Sequence, residues 1–545
     1  MSDPTEIPRE ATSPRARRIV LALIVLLPLL GLAPNLRGWI EQEPPESIFL
    51  GFWHMPTDHE QYGTFIAQAR ENGAFFMRDL LTTDPHPGRF MALYPWLVGR
   101  FAALTHVGDA EAWLILQYPV GVLLLIAAWF ALGRLTRTPE QQVTAFLLAT
   151  LASGVEWLAW VLMRSGVPLA YLVAPPFAAY WNWNLSGALA VPLWAIAEAV
   201  FLLLVTLLVA QLERATPWRG LALFACGPIC WALHPYTGMA AFALVAAVPL
   251  MSPVARLSRA QAPDWRIVAS RLRTVAPALL GAIPIAVESA WASGDPAVAH
   301  AMSQGVTWTT IVTPTFWPIL YPLPLALGWF GFKACRTGDS VRDEILVGAT
   351  VTIVTLSVNP WFSGSKFQYL LIVPICALAG RGASWLRENV SWFATAWHRR
   401  TPIAVLAIAS IGTLLAPFAD IARPADKAAA HASAGELEAM EFIRQQPGGS
   451  LLAPMERGAL AAWKTLHPTY YGHFFLTVNG SQRQAETVKF FDPATDPAWR
   501  TDLLAKAGIR WVLVPPDLEG HLAETAWGRV AFGSGGWHVI EVARP

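Results

Sequence analysis

A chain of 545 residues that is 54 % hydrophobic and 14 % charged is too apolar for an ordinary soluble protein, where about 25 % of residues are charged. Its 39 basic and 38 acidic side chains leave a net charge of +1, so nothing points to a nucleic-acid partner. Apolar runs of about 20 residues, the length that crosses a bilayer, recur along it. The class they imply is a polytopic α-helical membrane protein.

In chain order, Arg15, Arg17 and Arg18 precede an apolar run, IVLALIVLLPLLGLAPNL. It resembles a signal peptide but lacks a clean small-x-small cleavage site, so a retained first span over 17–36 is expected, with 1–16 cytoplasmic. Lys/Arg-rich loops mark the cytoplasmic side. Arg134 and Arg137, Arg214 and Arg219, the group from Arg256 to Arg273, Lys333 with Arg336 and Arg342, and Arg381 with Arg387 fall where alternating spans require. Those further spans are expected near 111–133, 141–161, 188–211, 217–233, 237–251, 273–291, 310–332, 345–358, 367–380 and 401–419. The total is about 11 transmembrane helices, in a range of 9–13.

The stretch 37–110 then becomes a large first periplasmic loop, with amphipathic pieces such as 90–106, which Arg100 interrupts. Residues 162–187 carry Pro168, Pro175 and Pro176, which rule out one straight helix and suggest a second external loop. A transmembrane core over 111–420 and a linker over 421–431 lead to a small periplasmic α/β domain at 432–545. There GELEAMEFIRQQPGG suits a helix, and SLLAPMER, GIRWVLVPPD and GGWHVIEVARP suit strands. The four cysteines, Cys226, Cys230, Cys335 and Cys376, lie in or beside apolar segments and imply no disulfide framework. No dinucleotide fingerprint, phosphate loop or zinc-protease motif is present.

Charge is scarce, and 51–100 concentrates it: His54, Asp58, His59, Glu60, Asp79, Asp84, His86 and Arg89. The alternation puts this cluster on the same side as Arg164, Asn182, Asn184, His234, Tyr236, Trp361 and Lys366. Such convergence suits a lipid-borne substrate presented at the outer surface. Asp58, just after Pro56, is the leading candidate base, and a helix start also explains a carboxylate there. Glu60 cannot share its helical face. Arg89, Arg164 and Lys366 are the cations able to neutralise a phosphoryl group, with His234 and Tyr236 at a helix end beside them. Asp58 and His86, with His54 and Asp84, are acceptable ligands for a divalent cation such as Mg or Mn. Glu156, Glu198 and Glu288 are costly within spans unless paired or near an end. The 26 tryptophans fit interfacial anchoring and also stacking on a sugar.

This layout resembles the C-type (GT-C) integral-membrane glycosyltransferases, a superfamily with protein mannosyltransferases, oligosaccharyltransferase catalytic subunits and lipid A aminoarabinose transferases among its members. Asp58 in TDHEQY matches the position of the acidic residue in their first external loop, with His59 separating it from Glu60. The tail segment LLAPMERGALAAWKTLHPTYYGHFFLT, with Tyr471 and His473 at its centre, resembles periplasmic domains of bacterial members. The resemblance implies an inverting glycosyltransferase of the bacterial inner membrane, using a polyprenyl-phosphate-linked sugar and a lipid, glycan or protein acceptor. It matches Asp58 to the catalytic carboxylate and leaves open whether Glu60 shares that role; by location alone, Arg89, Arg164, His234, Tyr236 and Lys366 are the candidates for the donor, and His54, His86, Asn182, Asn184, Trp361, Tyr471 and His473 for the pocket lining. The competing readings are a lipid-linked-substrate transporter or flippase, and a non-catalytic subunit of a glycan assembly system.

Overall fold

A computed structural model describes residues 13–41, 47–52, 56–153, 185, 189, 191–257, 262–307, 317–335, 340–359, 364–391, 406–408, 410–413, 429–518 and 527–543. The chain divides into two compact units. The first comprises Met1–Leu32, Gln117–Val287 and Val306–Ala419, and the second Ala33–Leu116, Glu288–Gly305 and Asp420–Pro545.

The helices that populate or enter the first unit are α1 (Pro14–Glu41), α4 (Asp109–Leu135), α5 (Pro139–Leu151), α6 (Pro192–Glu213), α7 (Pro217–Leu233), α8 (Pro235–Leu257), α9 (Trp265–Leu280), α10 (Ala282–Ala292), α12 (Pro322–Cys335), α13 (Val341–Val358) and α14 (Ile372–Asn389). Several begin on proline, whose fixed φ suits a first helical position and whose missing N–H costs nothing there. Thr138 and Thr216 cap α5 and α7 by accepting backbone N–H bonds.

Among the described residues, six helical stretches are long and apolar enough to cross a membrane: Pro14–Ile40, Asp109–Leu135, Pro192–Glu213, Pro235–Val254, Trp265–Ala292 and Lys366–Asn389. The protein is therefore a multi-pass membrane protein. The other expected crossings coincide with α5, α7, α12, α13 and helical turns at 406–408 and 410–413, whose described parts fall short of that length or apolarity. Between α12 and α14 the backbones approach so closely that a Cβ on Gly331 or Gly382 would overlap the carbonyl of Leu378 or Leu327.

Several of the arginines that mark one side in the sequence are ion-paired within this unit. Arg381 and Arg137 both pair with Asp343, and Arg381 also reaches the Leu135 carbonyl. Arg387 pairs with Glu140, and Arg271 with Glu344. Glu213 takes Arg342 at 2.6 Å and Arg134 at 3.4 Å. The Asp343–Arg381 pair is buried, and such a pair survives only with its hydrogen bonds complete.

The second unit joins two stretches far apart in sequence. Strand β1 (Ser47–Phe49) pairs antiparallel with β4 (His431–Ser433), Ile48 opposite Ala432. Helix α2 (Pro56–Asn72) packs against α3 (Leu93–Thr105), where Gly99 lets the backbones touch. Thus 90–106 is mostly one helix, with Arg100 donating to the Ala69 carbonyl of α2. A two-residue ladder joins β2 (Phe76–Met77) to β3 (Phe90–Met91), and α11 (Pro296–Thr307) adds the middle stretch.

After β4 come α15 (Ala434–Arg444), β5 (Ser450–Leu452), α16 (Gly458–Thr465), α17 (Gly480–Phe491), α18 (Pro497–Ala507), β6 (Ile509–Val514), β7 (Gly528–Ser534) and β8 (Trp537–Val542). The sheet order is β5-β6-β8-β7, with β5–β6 parallel and the other pairs antiparallel. The strands expected at SLLAPMER, GIRWVLVPPD and GGWHVIEVARP are β5, β6 and β8. Leu452, Phe490, Val512, Val514, Trp527 and Ile540 form the core. Residues 80–82 run along 469–477: the N–H groups of Thr469 and Gly472 donate to the carbonyls of Leu80 and Leu81. The first loop and the C-terminal domain are one folded body.

Candidate functional site

Helix α2 starts at Pro56 and carries Asp58 in its first turn, where exposed backbone N–H groups and the helix dipole favour a negative charge. The Asp58 side chain is 32 % exposed. Its Oδ1 lies 3.4 Å from Nε2 of His473, which comes from the C-terminal domain and is itself buried. The opposite ring nitrogen, Nδ1, accepts the Phe475 N–H at 3.2 Å. Since Nδ1 is an acceptor, the proton of the neutral ring sits on Nε2 and points at Asp58.

The loop holding His473 is fixed by Thr477. Its Oγ1 accepts the N–H groups of Gly472 and His473 at 3.2 and 3.0 Å and donates to the Leu81 carbonyl at 2.7 Å. Gly472 is obligatory, because a Cβ there would collide with Leu81 and Thr469. Tyr471 is buried beside it, and burial raises its phenol. Tyr62, one turn beyond Asp58, is raised by burial and by the Asp58 charge.

Glu60 is separated from Asp58 by the helical twist and points inward, 2 % exposed, with no hydrogen-bond partner for Oε2. Burial pushes its carboxyl up to about 8 against the pull of Arg457 and Lys464, and Glu436 adds to the rise. Glu436 is ion-paired with Arg457 at 3.1 Å. Burial brings it to about 6, opposed by Arg457 and the Ser433 N–H. His59 is a core residue, stacked on Phe52 at 4.6 Å and edge-on to Trp113.

The remaining polar groups of the first loop are committed within the same unit. His86 Nδ1 meets Asp295 Oδ2 at 3.3 Å and Nε2 meets the Asp79 carbonyl at 3.0 Å. Both ring nitrogens are thus within reach of an oxygen acceptor. Asp295 also takes the N–H groups of Gly88, Arg89 and Ala297, all at 3.0 Å. Burial alone would raise its carboxyl, but Ala297, His86 and Arg89 more than offset this and hold it below its usual range. Asp79 is buried with Oδ2 unpartnered, and burial pushes it up to about 7. Arg89 donates to the Trp291 carbonyl at 2.5 Å and lies over its ring. Asp84 is tied to Arg483 at 2.8 Å. Of the two metal candidates, Asp58 faces His473 and His86 has both nitrogens engaged. Among the described residues no three His, Cys, Asp or Glu side chains converge as a metal-binding group.

In the first unit, His234 caps the end of α7, its N–H bonded to the Cys230 carbonyl. Its Nδ1 lies 3.0 Å from Thr237 Oγ1 and 2.9 Å from the Tyr369 hydroxyl, and those two oxygens bond to each other. Tyr236 meets Phe367 edge-on, and Trp194 stacks on Tyr369. Lys366 opens the span that carries Tyr369, near enough for its charge to act on His234. Glu198, in α6, is buried with Oε1 unpartnered. His234 and Tyr236 thus lie beside the stretch that follows Lys366.

No protein-family model and no curated protein sequence matches the chain. Solved structures do. An oligosaccharyltransferase from Archaeoglobus fulgidus superposes with a TM-score of 0.55 at 11 % identity, over 92 % of this chain and 70 % of its own. ArnT from Cupriavidus metallidurans bound to undecaprenyl phosphate gives 0.50 at 13 %, over 96 % and 97 % of the two chains. The arabinofuranosyltransferase AftD from mycobacteria gives 0.53 at 13 %, over 98 % of this chain and 42 % of its own. The chain has the GT-C fold.

On this GT-C scaffold the candidate residues that are described divide into three sets. Asp58, His473 and Tyr471 belong to the second unit, where Asp58 and His473 meet; His234, Tyr236 and Lys366 gather in the first. Glu60, His86 and Arg89 are held in internal contacts of the second unit. His54, Glu156, Arg164, Asn182, Asn184 and Trp361 lie outside the described residues. Asp295, Thr237 and Tyr369 escaped sequence reasoning. Asp295 had a signal, since Asp before Pro296 is a helix-start pattern, while Thr237 and Tyr369 had only their spacing of three from His234 and Lys366.

Proposed function

We propose that this chain is an inverting glycosyltransferase that moves a sugar from a polyprenyl-phosphate donor to an acceptor hydroxyl, with Asp58 as general base. The observation that carries the reading is a partly exposed carboxylate at a helix start on a GT-C fold, oriented by a buried histidine. ArnT, among the structures it resembles, is bound to undecaprenyl phosphate, which supports that donor class.

In the proposed step the acceptor oxygen attacks the anomeric carbon from the face opposite the phosphate. Its proton passes to Asp58 as the new C–O bond forms. The bond from the anomeric carbon to the phosphate oxygen breaks, and polyprenyl phosphate leaves with the electron pair, inverting the centre. The departing charge calls for cations and hydroxyl donors. By residue type in the sequence, Arg164 and Lys366 are the candidate cations for that charge. No step is routed through a metal.

The proposed topology has about eleven crossings. In it the Lys/Arg-rich loops face the cytoplasm, and the first loop with Asp58 faces the periplasm of the bacterial inner membrane. Asp58→Asn is the direct test. It keeps the shape of the side chain and is expected to lower turnover by about 10²–10⁴-fold with folding intact. The readout is release of undecaprenyl phosphate from undecaprenyl-phosphate-linked pentoses and hexoses, with a membrane extract as acceptor source. Undiminished turnover removes Asp58 from the reaction. Movement of the donor across the bilayer without covalent change makes the chain a transporter.

A further inference from the structure

Within the second unit, Asp58 and His473 are 415 residues apart in sequence, yet their side chains meet at 3.4 Å. The ring is not free to turn. The Phe475 N–H occupies Nδ1, and Thr477 clamps the backbone on either side of it to Leu81. A buried, fixed donor aimed at a partly exposed carboxylate favours the charged form and sets its orientation.

We propose that His473 is the positioning residue for Asp58: its Nε2–H holds the carboxylate ionised and oriented for the acceptor, so the C-terminal domain is a working part of the transfer site. This rests on Asp58 being the base. His473 itself exchanges no proton with substrate. Its Nδ1 is kept as the acceptor by the Phe475 N–H, which leaves Nε2–H as the donor toward Asp58.

Two isosteric variants test this in the full-length chain. His473→Gln places an amide N–H where Nε2 lies and can still reach Asp58. His473→Asn places it where Nδ1 lies and cannot. With undecaprenyl-phosphate-linked sugars as the probe, His473→Asn is expected to lower kcat by about 10- to 100-fold, the worth of a hydrogen bond to a charged group. KM for the donor stays put, and the acid limb of the kcat–pH profile moves up by about one unit. His473→Gln is expected to restore both the rate and the limb. Equal rates and equal acid limbs in the two variants, at matched melting temperatures, overturn the proposal.

The two readings fail separately. Full turnover in Asp58→Asn overturns the base and this role with it. An inactive Asp58→Asn beside an unimpaired His473→Asn overturns the positioning role alone. Independently of turnover, nitrogen-15 spectra of histidine-labelled protein are expected to show His473 as the Nε2–H tautomer, and an Nδ1–H signal contradicts the assignment.

Discussion

Two carboxylates, two positions apart on α2, have opposite fates. Asp58 faces outward at the helix start, while Glu60 is driven into the interior and holds its proton near neutral pH. The sequence shows the pair but not the environments, because those are made by Arg457, Glu436 and His473 from the far end of the chain. The sign of the Glu60 effect follows from its folded value of about 8 against an ordinary 4.5. A raised carboxyl leaves stability intact below about pH 4.5 and withdraws it as pH rises toward 8. Glu60→Gln removes the charge that the unfolded chain gains. It is expected to stabilise the fold by about 3 kcal/mol at pH 7 and by almost nothing at pH 4. Thermal unfolding of the two chains at both pH values checks this. Equal melting temperatures at pH 7 would mean that Glu60 is ionised in the fold.

At the level of elements, the apolar runs were readable and so were the strands, since length and pattern alone decide them. α6 and α8 fall on expected spans, and β5, β6 and β8 on expected strands. What pattern cannot show is how ends are tied. The arginines read as topological markers are also structural, and Asp343 of α13 is the acid that takes both Arg381 of α14 and Arg137 from the turn between α4 and α5. Asp343→Asn leaves a buried guanidinium without its counter-charge, which is expected to cost about 3–5 kcal/mol. Lower melting temperature and lower yield of folded protein, with unchanged kcat in the surviving fraction, are the expected readings. A kcat loss at normal stability would place the network in the reaction.

For the whole molecule, the proposed sidedness can be tested with little background, because all four native cysteines are free and buried. A membrane-impermeant maleimide, admitted to the periplasm, is expected to label Lys506→Cys, at a 74 % exposed position of the second unit. Arg256→Cys, in the last turn of α8, is expected to react only after lysis. The reverse pattern inverts the topology. Sequence carried the polytopic class, the long apolar helices and a C-terminal mixed sheet. It did not carry the union of that domain with the first loop, which rests on contacts such as β1 with β4 and Arg483 with Asp84. Those pairs obey no periodicity; each becomes visible only when the chain between them is folded.

The second unit is stitched from three separated stretches, and this sets an order of events during synthesis. Asp58 leaves the ribosome early, but His473 follows only after every membrane crossing between them has been made. Translation at about 5–20 residues per second puts 20 seconds or more between the two. Throughout that interval the nascent protein carries its acidic residue without the partner that orients it. With Asp58 as the proposed base and His473 as its proposed positioning residue, competence for transfer is expected to arrive last, when insertion is complete, and a stalled or truncated chain is expected to stay silent in the membrane.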